Sequence, residues 1–184
     1  MKAIAEARAA AADAAARKAE ANGGPLFHIV VPKGDRVSTM LQMLSQLGAR
    51  VWQPLVLDHS VVRRLDPKAE RLRRLLVESA KVARRPWLLE VRPPMDLRSL
   101  LSAPREGAAY HGDREGRRGP LPVDAGLVVI GPEAGFSELE FEDLAAANVR
   151  PAAFAPYNLR IETAAIAATV SAFADGADEA GAEA

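Results

Sequence analysis

Apolar residues in this chain fall into two patterns, short continuous runs and longer stretches with helical spacing. Leu26–Val31, LFHIVV, is a run of the first kind and predicts a buried strand. Pro32–Asp35 makes a turn, and Val37, Met40, Leu41, Leu44 and Leu47 then share one helical face over 36–47, with Gly48 as the stop. VWQPLVL at 51–57 predicts a strand whose edge or end is made irregular by Pro54. Asp66-Pro67 has the form of a helix start, N-cap then first turn, for a helix to about Ala83. Its Ala69, Leu72, Leu75, Leu76 and Ala80 point inward and its Arg71 and Arg74 outward.

WLLEV at 87–91 predicts the next strand, ended by Pro93-Pro94, and a short helix follows near 97–101. Residues 104–122 are rich in Gly, Pro and charge, which predicts a weak strand around AAYH inside long loops. GLVVI at 126–130 predicts a fully buried strand. Ser137 with Glu140 three residues on predicts a capping box opening a helix to about Ala147. PAAF gives the last strand, and the last helix begins near Arg160 or Glu162. Strands alternating with helices predict an α/β fold with a mainly parallel sheet and helices on both faces. The Ala-rich stretch 1–24 predicts a helical extension, 25–175 one folded domain, and 176–184 a small acidic, disordered tail.

Composition narrows the chemistry. The chain has no cysteine, which excludes disulfides and thiolate nucleophiles and fits a cytoplasmic protein. His28, His59 and His111 lack metal-ligand spacing, so no metal is expected. No apolar run is long enough to span a bilayer. Net charge is zero, yet Arg63–Arg92 holds ten Lys/Arg against four acidic residues, while 131–184 holds ten acidic residues against Arg150 and Arg160. A neutral chain can therefore present a basic face, and this one reads either as a nucleic-acid patch or as a solvated helix surface.

Two backbone-rich loops carry the strongest functional signal. The apolar strand at 126–130 ends in Gly131-Pro132-Glu133-Ala134-Gly135, and the strand at 151–154 ends in a Pro-containing loop that runs into LRIETAAIAA. Loops at the carboxyl ends of adjacent strands suit a ligand read by main-chain groups. PKGDR at 32–36, LG at 47–48, SVVR at 60–63, ERLRR with Glu78 over 70–78, GPEAGFSELE at 131–140 and LRIETAAIAA at 159–168 occur in one order. In that order they resemble the ribosomal RNA small subunit methyltransferase E family, of the SPOUT superfamily of knotted methyltransferases. The resemblance covers roughly residues 26–175.

The resemblance implies a C-terminal trefoil knot that forms a pocket for S-adenosylmethionine. It implies a homodimer and methylation of N3 of a uracil in the 16S RNA of the small ribosomal subunit. Ile130, Gly131, Ala134 and Gly135 would lie along the cofactor, with Phe154, Ala155, Leu159 and Arg160 in the second loop around it. Glycine and alanine there let backbone donors approach closely. Uracil N3–H is not nucleophilic while protonated, so the enzyme must favour its loss and hold N3 in line with the sulfonium methyl. A cation beside O2 or O4 would stabilise the developing charge. Arg160, opening the last helix, is the candidate catalytic residue, against a structural or phosphate-binding role. Glu162 and Thr163 are expected to fix loop geometry by hydrogen bonds to backbone donors. Lys33, Arg36, Arg63, Arg71, Arg74, Arg84 and Arg85 are expected to face RNA.

The chain departs from the family pattern at Met43 and Gln46, where the family has Lys and Glu, and at His59, where it has Arg. Lys81, Val82 and Ala83 replace part of its Glu-Gln-Ser-Gly-Arg segment. GPEGGF has become GPEAGF, a mild change if the fourth position has φ < 0 and a strained one otherwise. Phe154-Ala155 stands for Leu-Gly, and Asn158 for an aliphatic residue. The family's PUA-like N-terminal RNA-binding barrel has no counterpart in 1–24, so the chain is expected to be a fragment or a member lacking it. A catalytically silent RNA-binding or ribosome-assembly relative that keeps the knotted dimer is the alternative function.

Overall fold

The computed structural model describes residues 25–174 apart from 63, 64, 67, 68 and 123. The expected N-terminal helix, the acidic tail, Arg63 and Pro67 lie outside those residues. The strands are β1 (Leu26–Val30), β2 (Val51–Val56), β3 (Glu90–Val91), β4 (Met95–Asp96), β5 (Ala108–Arg118), β6 (Ala125–Ile130) and β7 (Val149–Ala153). They form one sheet in the order β3-β2-β1-β6-β5-β7, with β4 also paired to β2. Every named pair is parallel. The helices are α1 (Arg36–Gln46), α2 (Glu70–Val82), α3 (Leu97–Ser102), α4 (Glu138–Ala146) and α5 (Ile161–Phe173).

Successive strand residues point to opposite faces. Phe27, His28, Ile29 and Val30 are all buried, as are Leu127 through Ile130, so the central strands are covered on both sides. Two helix groups are in contact, α1 with α2 and α5, and α3 with α4. The fold is thus a mostly parallel α/β sheet with its helices, as the alternating pattern predicts.

Five local features differ from the sequence expectation. The weak strand around AAYH is an eleven-residue strand, β5, held between β6 and β7. Its first two residues are small, Tyr110 and His111 are buried, and close backbone approach helps to secure it. A Cβ on Gly107 would lie 2.2 Å from the Asp124 carbonyl oxygen, and one on Gly126 would lie 1.8 Å from that of Glu106. These glycines allow the two chain segments to close up at the start of β5 and β6. The register of β5 against β7 shifts between Gly112 and Arg117.

Pro54 does not place β2 at an edge, since β2 is flanked by β1 on one side and β3 and β4 on the other. β3 pairs with Val51 and Trp52 and β4 with Leu55 and Val56, so the proline falls in the gap between them. The missing N–H is tolerated there. β3 keeps only Glu90 and Val91 of the expected 87–91 strand. α2 begins at Glu70 with Ala69 as N-cap, instead of at Asp66-Pro67. Leu47 is 37% exposed, off the buried face of α1 made by Met40, Leu41 and Leu44.

Helix ends explain one basic residue. Gly48, at φ +105°, closes α1. The carbonyls there are capped from α2's side, because Arg85 donates to the Ser45, Gly48 and Ala49 oxygens. Its guanidinium also stacks 5.0 Å over Trp87. Arg85 is half-buried and serves the scaffold, whereas Arg84, at φ 53°, stands exposed in the left-handed position after α2.

Among the core residues His28 is 2% exposed on β1. Burial, with the Arg92 cation nearby, pushes its imidazole from 6.5 down to about 4. The unfolded chain therefore binds a proton near pH 6.5 that the fold refuses until about pH 4. Stability is full above pH 6.5 and falls as pH drops through that window, by about 3 kcal/mol for this group. Urea unfolding at pH 7, 5.5 and 4.5 should show the decline, and His28→Leu should flatten it. An undiminished slope in that variant would place the proton uptake elsewhere.

Candidate functional site

β1 and β6 are neighbours at the centre of the sheet, but the chain leaves them in opposite directions. β1 leads to β2 on one side, and β6 leads across β5 to β7 on the other. That is a topological switch point, where a crevice opens at the carboxyl ends of the strands. A cavity of about 210 Å³ lies there. Val30, Val31 and Lys33 line it from the end of β1, Pro132 and Glu133 from the loop after β6, Ser60 and Val61 from the loop after β2, and Ile161 from the start of α5.

The loop after β6 is shaped by two glycines with different tasks. Gly135 has φ +80°, and its N–H donates to the Pro132 carbonyl at 2.9 Å. A Cβ added there would meet nothing within 4 Å, so the requirement is conformational and the space beside the turn is open. At Gly131 an added Cβ would lie 2.9 Å from the Phe136 ring. Its missing side chain makes room for that ring, not for a ligand. Ala134 does not have positive φ, so alanine at this fourth position introduces no backbone strain.

The loop after β2 is fastened onto this segment. The capping box of α4 is present, with Ser137 and Glu140 in reciprocal contact. Glu140 accepts from Ser137 N–H through Oε2 and from Asp58 N–H, at 2.9 Å, through Oε1. Ser137 Oγ donates to Asp58 Oδ2 at 2.8 Å. His59 Nδ1 is 3.1 Å from the Gly135 carbonyl oxygen. A carbonyl only accepts, so this geometry calls for the tautomer protonated at Nδ1.

Arg36, at the start of α1, joins three segments in the cleft wall. Its Nε donates to the Lys33 carbonyl at 3.2 Å. Its Nη1 lies 3.5 Å from Glu133 Oε1 and 3.6 Å from Glu162 Oε1. Glu162 is thus engaged by an arginine, in place of the backbone donor that the sequence suggests. Thr163 is exposed.

The other expected residues fall into three groups. Ile130 and Phe154 meet through Gly112, where an added Cβ would lie 3.1 Å from Ile130 and 3.6 Å from Phe154. The carboxyl end of β6 and the residue that follows β7 therefore meet over the middle of β5. Ala155 and Leu159 are half-buried in the loop that follows, and Arg160 is the exposed N-cap of α5. On α2, Arg71 and Arg74 are paired with Asp35 and Glu70 at the surface. Lys33 is exposed at the cleft, Arg36 is committed to carboxylates, and Arg85 to helix carbonyls.

Two features are not visible in the sequence. One is the convergence of Arg36, Glu133 and Glu162, each inside a recognised motif but brought together only by the fold. The other is His111, buried on β5 against Phe136 at 5.6 Å and Phe141 at 5.9 Å. Burial lowers its pKa, and the Asp113 charge opposes the shift. Among the described residues no helix is long and apolar enough to cross a membrane.

Residues 26–172 match the family described as RNA methyltransferase domain. The chain is 29% identical over 149 residues to the ribosomal RNA small subunit methyltransferase E of Aquifex aeolicus, covering 77% of this chain and 64% of that protein. It therefore spans less than two thirds of that relative. A solved protein of Legionella pneumophila, with S-adenosylmethionine bound, superposes with TM-score 0.73 at 22% identity, over 83% of this chain and 66% of that one. The ribosomal RNA small subunit methyltransferase E of Neisseria gonorrhoeae, bound to S-adenosylmethionine, superposes with TM-score 0.68 at 25% identity, over 80% and 64%.

Gly131→Ala should force the Phe136 ring out of its place and destabilise the fold by about 1–3 kcal/mol. Urea titration measures this, and an unchanged midpoint would show that the ring yields freely.

Proposed function

Because the chain belongs to the RNA methyltransferase domain family, we propose that it transfers a methyl group from S-adenosylmethionine to N3 of a uracil in 16S ribosomal RNA. The carrying observation is the meeting of the Gly131–Gly135 loop, the loop before α5 and a cleft at one switch point. The names of the aligned relatives support the RNA and the position, and the superposed structures support the cofactor.

The residues present fit that cofactor. The space beside Gly135 is open, and Ile130 and Phe154 offer apolar contact at the strand ends. Ile130, Gly131, Ala134 and Gly135 would hold one side of it, and Phe154, Ala155, Leu159 and Arg160 the other. When bound it supplies an electrophilic methyl group. The chain's own residues orient the base, exclude water and stabilise charge as N3 loses its proton. Arg160, exposed and without a side-chain partner among the described residues, is the proposed cation for a uracil carbonyl oxygen.

The C-terminus is read as a trefoil knot. Supporting it, the end of α5 is bound to the segment before β6, where Leu121 N–H donates to the Ser171 carbonyl and hydroxyl and Ser171 Oγ donates to the Gly119 carbonyl. A homodimer would cover the exposed apolar Tyr157 and Val170, 80% and 50% accessible. The RNA face is assigned to Lys33, Arg71, Arg74 and Arg84. The ion pairs of Arg71 and Arg74 are exposed and weak, so phosphates would displace them readily.

Calorimetry with S-adenosylmethionine and mass spectrometry of 16S RNA incubated with protein and cofactor test the reading. Cofactor binding without RNA methylation would point to a silent relative. Gly135→Val puts a β-branched residue at φ +80°, which should deform the loop and weaken cofactor affinity tenfold or more, about 1.4 kcal/mol. Equal affinity in a folded variant would move the pocket elsewhere. RNA affinity should fall steeply with salt, and changing Arg71, Arg74 and Arg84 to Glu should flatten that slope by about one unit for each phosphate no longer neutralised. An unaltered slope would leave α2 a solvated surface.

A further inference from the structure

Two of the residues proposed to hold the cofactor, Ile130 and Phe154, lie on the other side of β6 from the cleft. Ile130, at the end of β6, and Phe154, just after β7, gather over Gly112 of the intervening β5, whereas the cleft opens where β6 meets β1. The Pro132–Gly135 turn stands between them. A group in the cleft and a group on the strand ends would therefore face each other across one loop.

The cleft has its own chemistry. Val30, Val31, Val61, Pro132 and Ile161 give it apolar walls. Its volume, about 210 Å³, is below the roughly 300–1,000 Å³ usual for drug-sized ligands, and it suits one planar ring. Its cations are Lys33 and Arg36. The guanidinium of Arg36 is fixed in place from three segments, by the Lys33 carbonyl, Glu133 and Glu162. That fixation is incomplete. Arg36 Nη1 and Glu162 Oε2 are buried with no hydrogen-bond partner, although the charges attract at 3.5–3.6 Å. Buried polar atoms left unsatisfied call for an occupant or a rearrangement that completes them.

Resting on the function proposed above, we propose that this cleft receives the target base, extruded from its RNA stack, with Arg36 as the cation facing its carbonyl at position 4. Enzymes acting on a base within RNA or DNA draw it into a snug pocket and read its pairing edge. A uracil-type edge presents carbonyl, N–H, carbonyl. A guanidinium donor beside a carbonyl stabilises the ring as negative charge builds on that oxygen. Cytosine keeps the carbonyl at position 2 but carries an amine donor at position 4, so with Arg36 placed at position 4, as proposed, donor would meet donor. Arg36 thus favours uracil, and the neighbouring Glu133 and Glu162 hold it for that contact.

The test uses the full chain with labelled Val and Ile methyl groups. A short uridine RNA oligomer should shift the signals of Val30, Val31, Val61 and Ile161, and a cytidine oligomer of equal length should bind at least fivefold more weakly. Arg36→Met should weaken uridine binding about tenfold, and Arg36→Lys should recover part of the loss. Val61→Trp, at a rim residue 68% exposed, should block the pocket without harming the core. Uridine that leaves these methyl groups unmoved, binds no better than cytidine, or binds equally well to Arg36→Met would overturn the assignment. The two readings separate cleanly. Uridine binding as described without RNA methylation removes the enzyme and keeps the receptor, whereas methylation at full rate by Arg36→Met and Val61→Trp removes the receptor and keeps the enzyme.

Discussion

A parallel strand can be joined to its neighbour only by a crossover, and this sheet is parallel in every named pair. Each strand therefore delivers its outgoing loop to the same edge. The β1–β6 ladder at the centre then decides where that edge splits, because the chain departs from these two strands in opposite directions. The cleft, the glycine turn and the N-terminus of α5 all depend on this one pairing. Its residues are buried on both faces to make it, down to a histidine held neutral in the core.

The loops at that edge are tied to one another as well as to their strands. Glu140 bridges Ser137 and Asp58, His59 reaches the Gly135 carbonyl, and Arg36 draws Glu133 toward Glu162. Asp58 and His59, just after β2, are thus bonded to the segment after β6. Substitution in either segment is expected to be felt in the other, since contacting residues in a shared network do not act additively.

The apolar strands, the capping box and the order of the motifs are readable in the sequence, because each depends on local spacing. β5 is obscured there because its glycines, charges and small residues say little about a strand secured partly by backbone closeness at Gly107 and Gly126. The start of α2 lies at Glu70 because Ala69, at ψ 127°, is not helical and interrupts any continuation from the Asp66-Pro67 signal. Helix N-termini usually supply backbone donors to a residue such as Glu162, and only the folded chain brings Arg36 to it. Arg85 resembles its exposed neighbour Arg84 in sequence, yet three carbonyls at the end of α1 claim it.

The central ladder also sets a timetable. β1 pairs with β2 soon after both leave the ribosome, but its other partner, β6, lies about 100 residues further on. At roughly 5–20 residues per second, β1 waits on the order of 5–20 s with one edge unpaired. During that interval LFHIV is an apolar, uncharged strand edge of the kind that templates aggregation. Nascent chains of this protein would then depend on chaperones more than its finished stability implies, and slowing translation between β2 and β6 would lengthen the exposure.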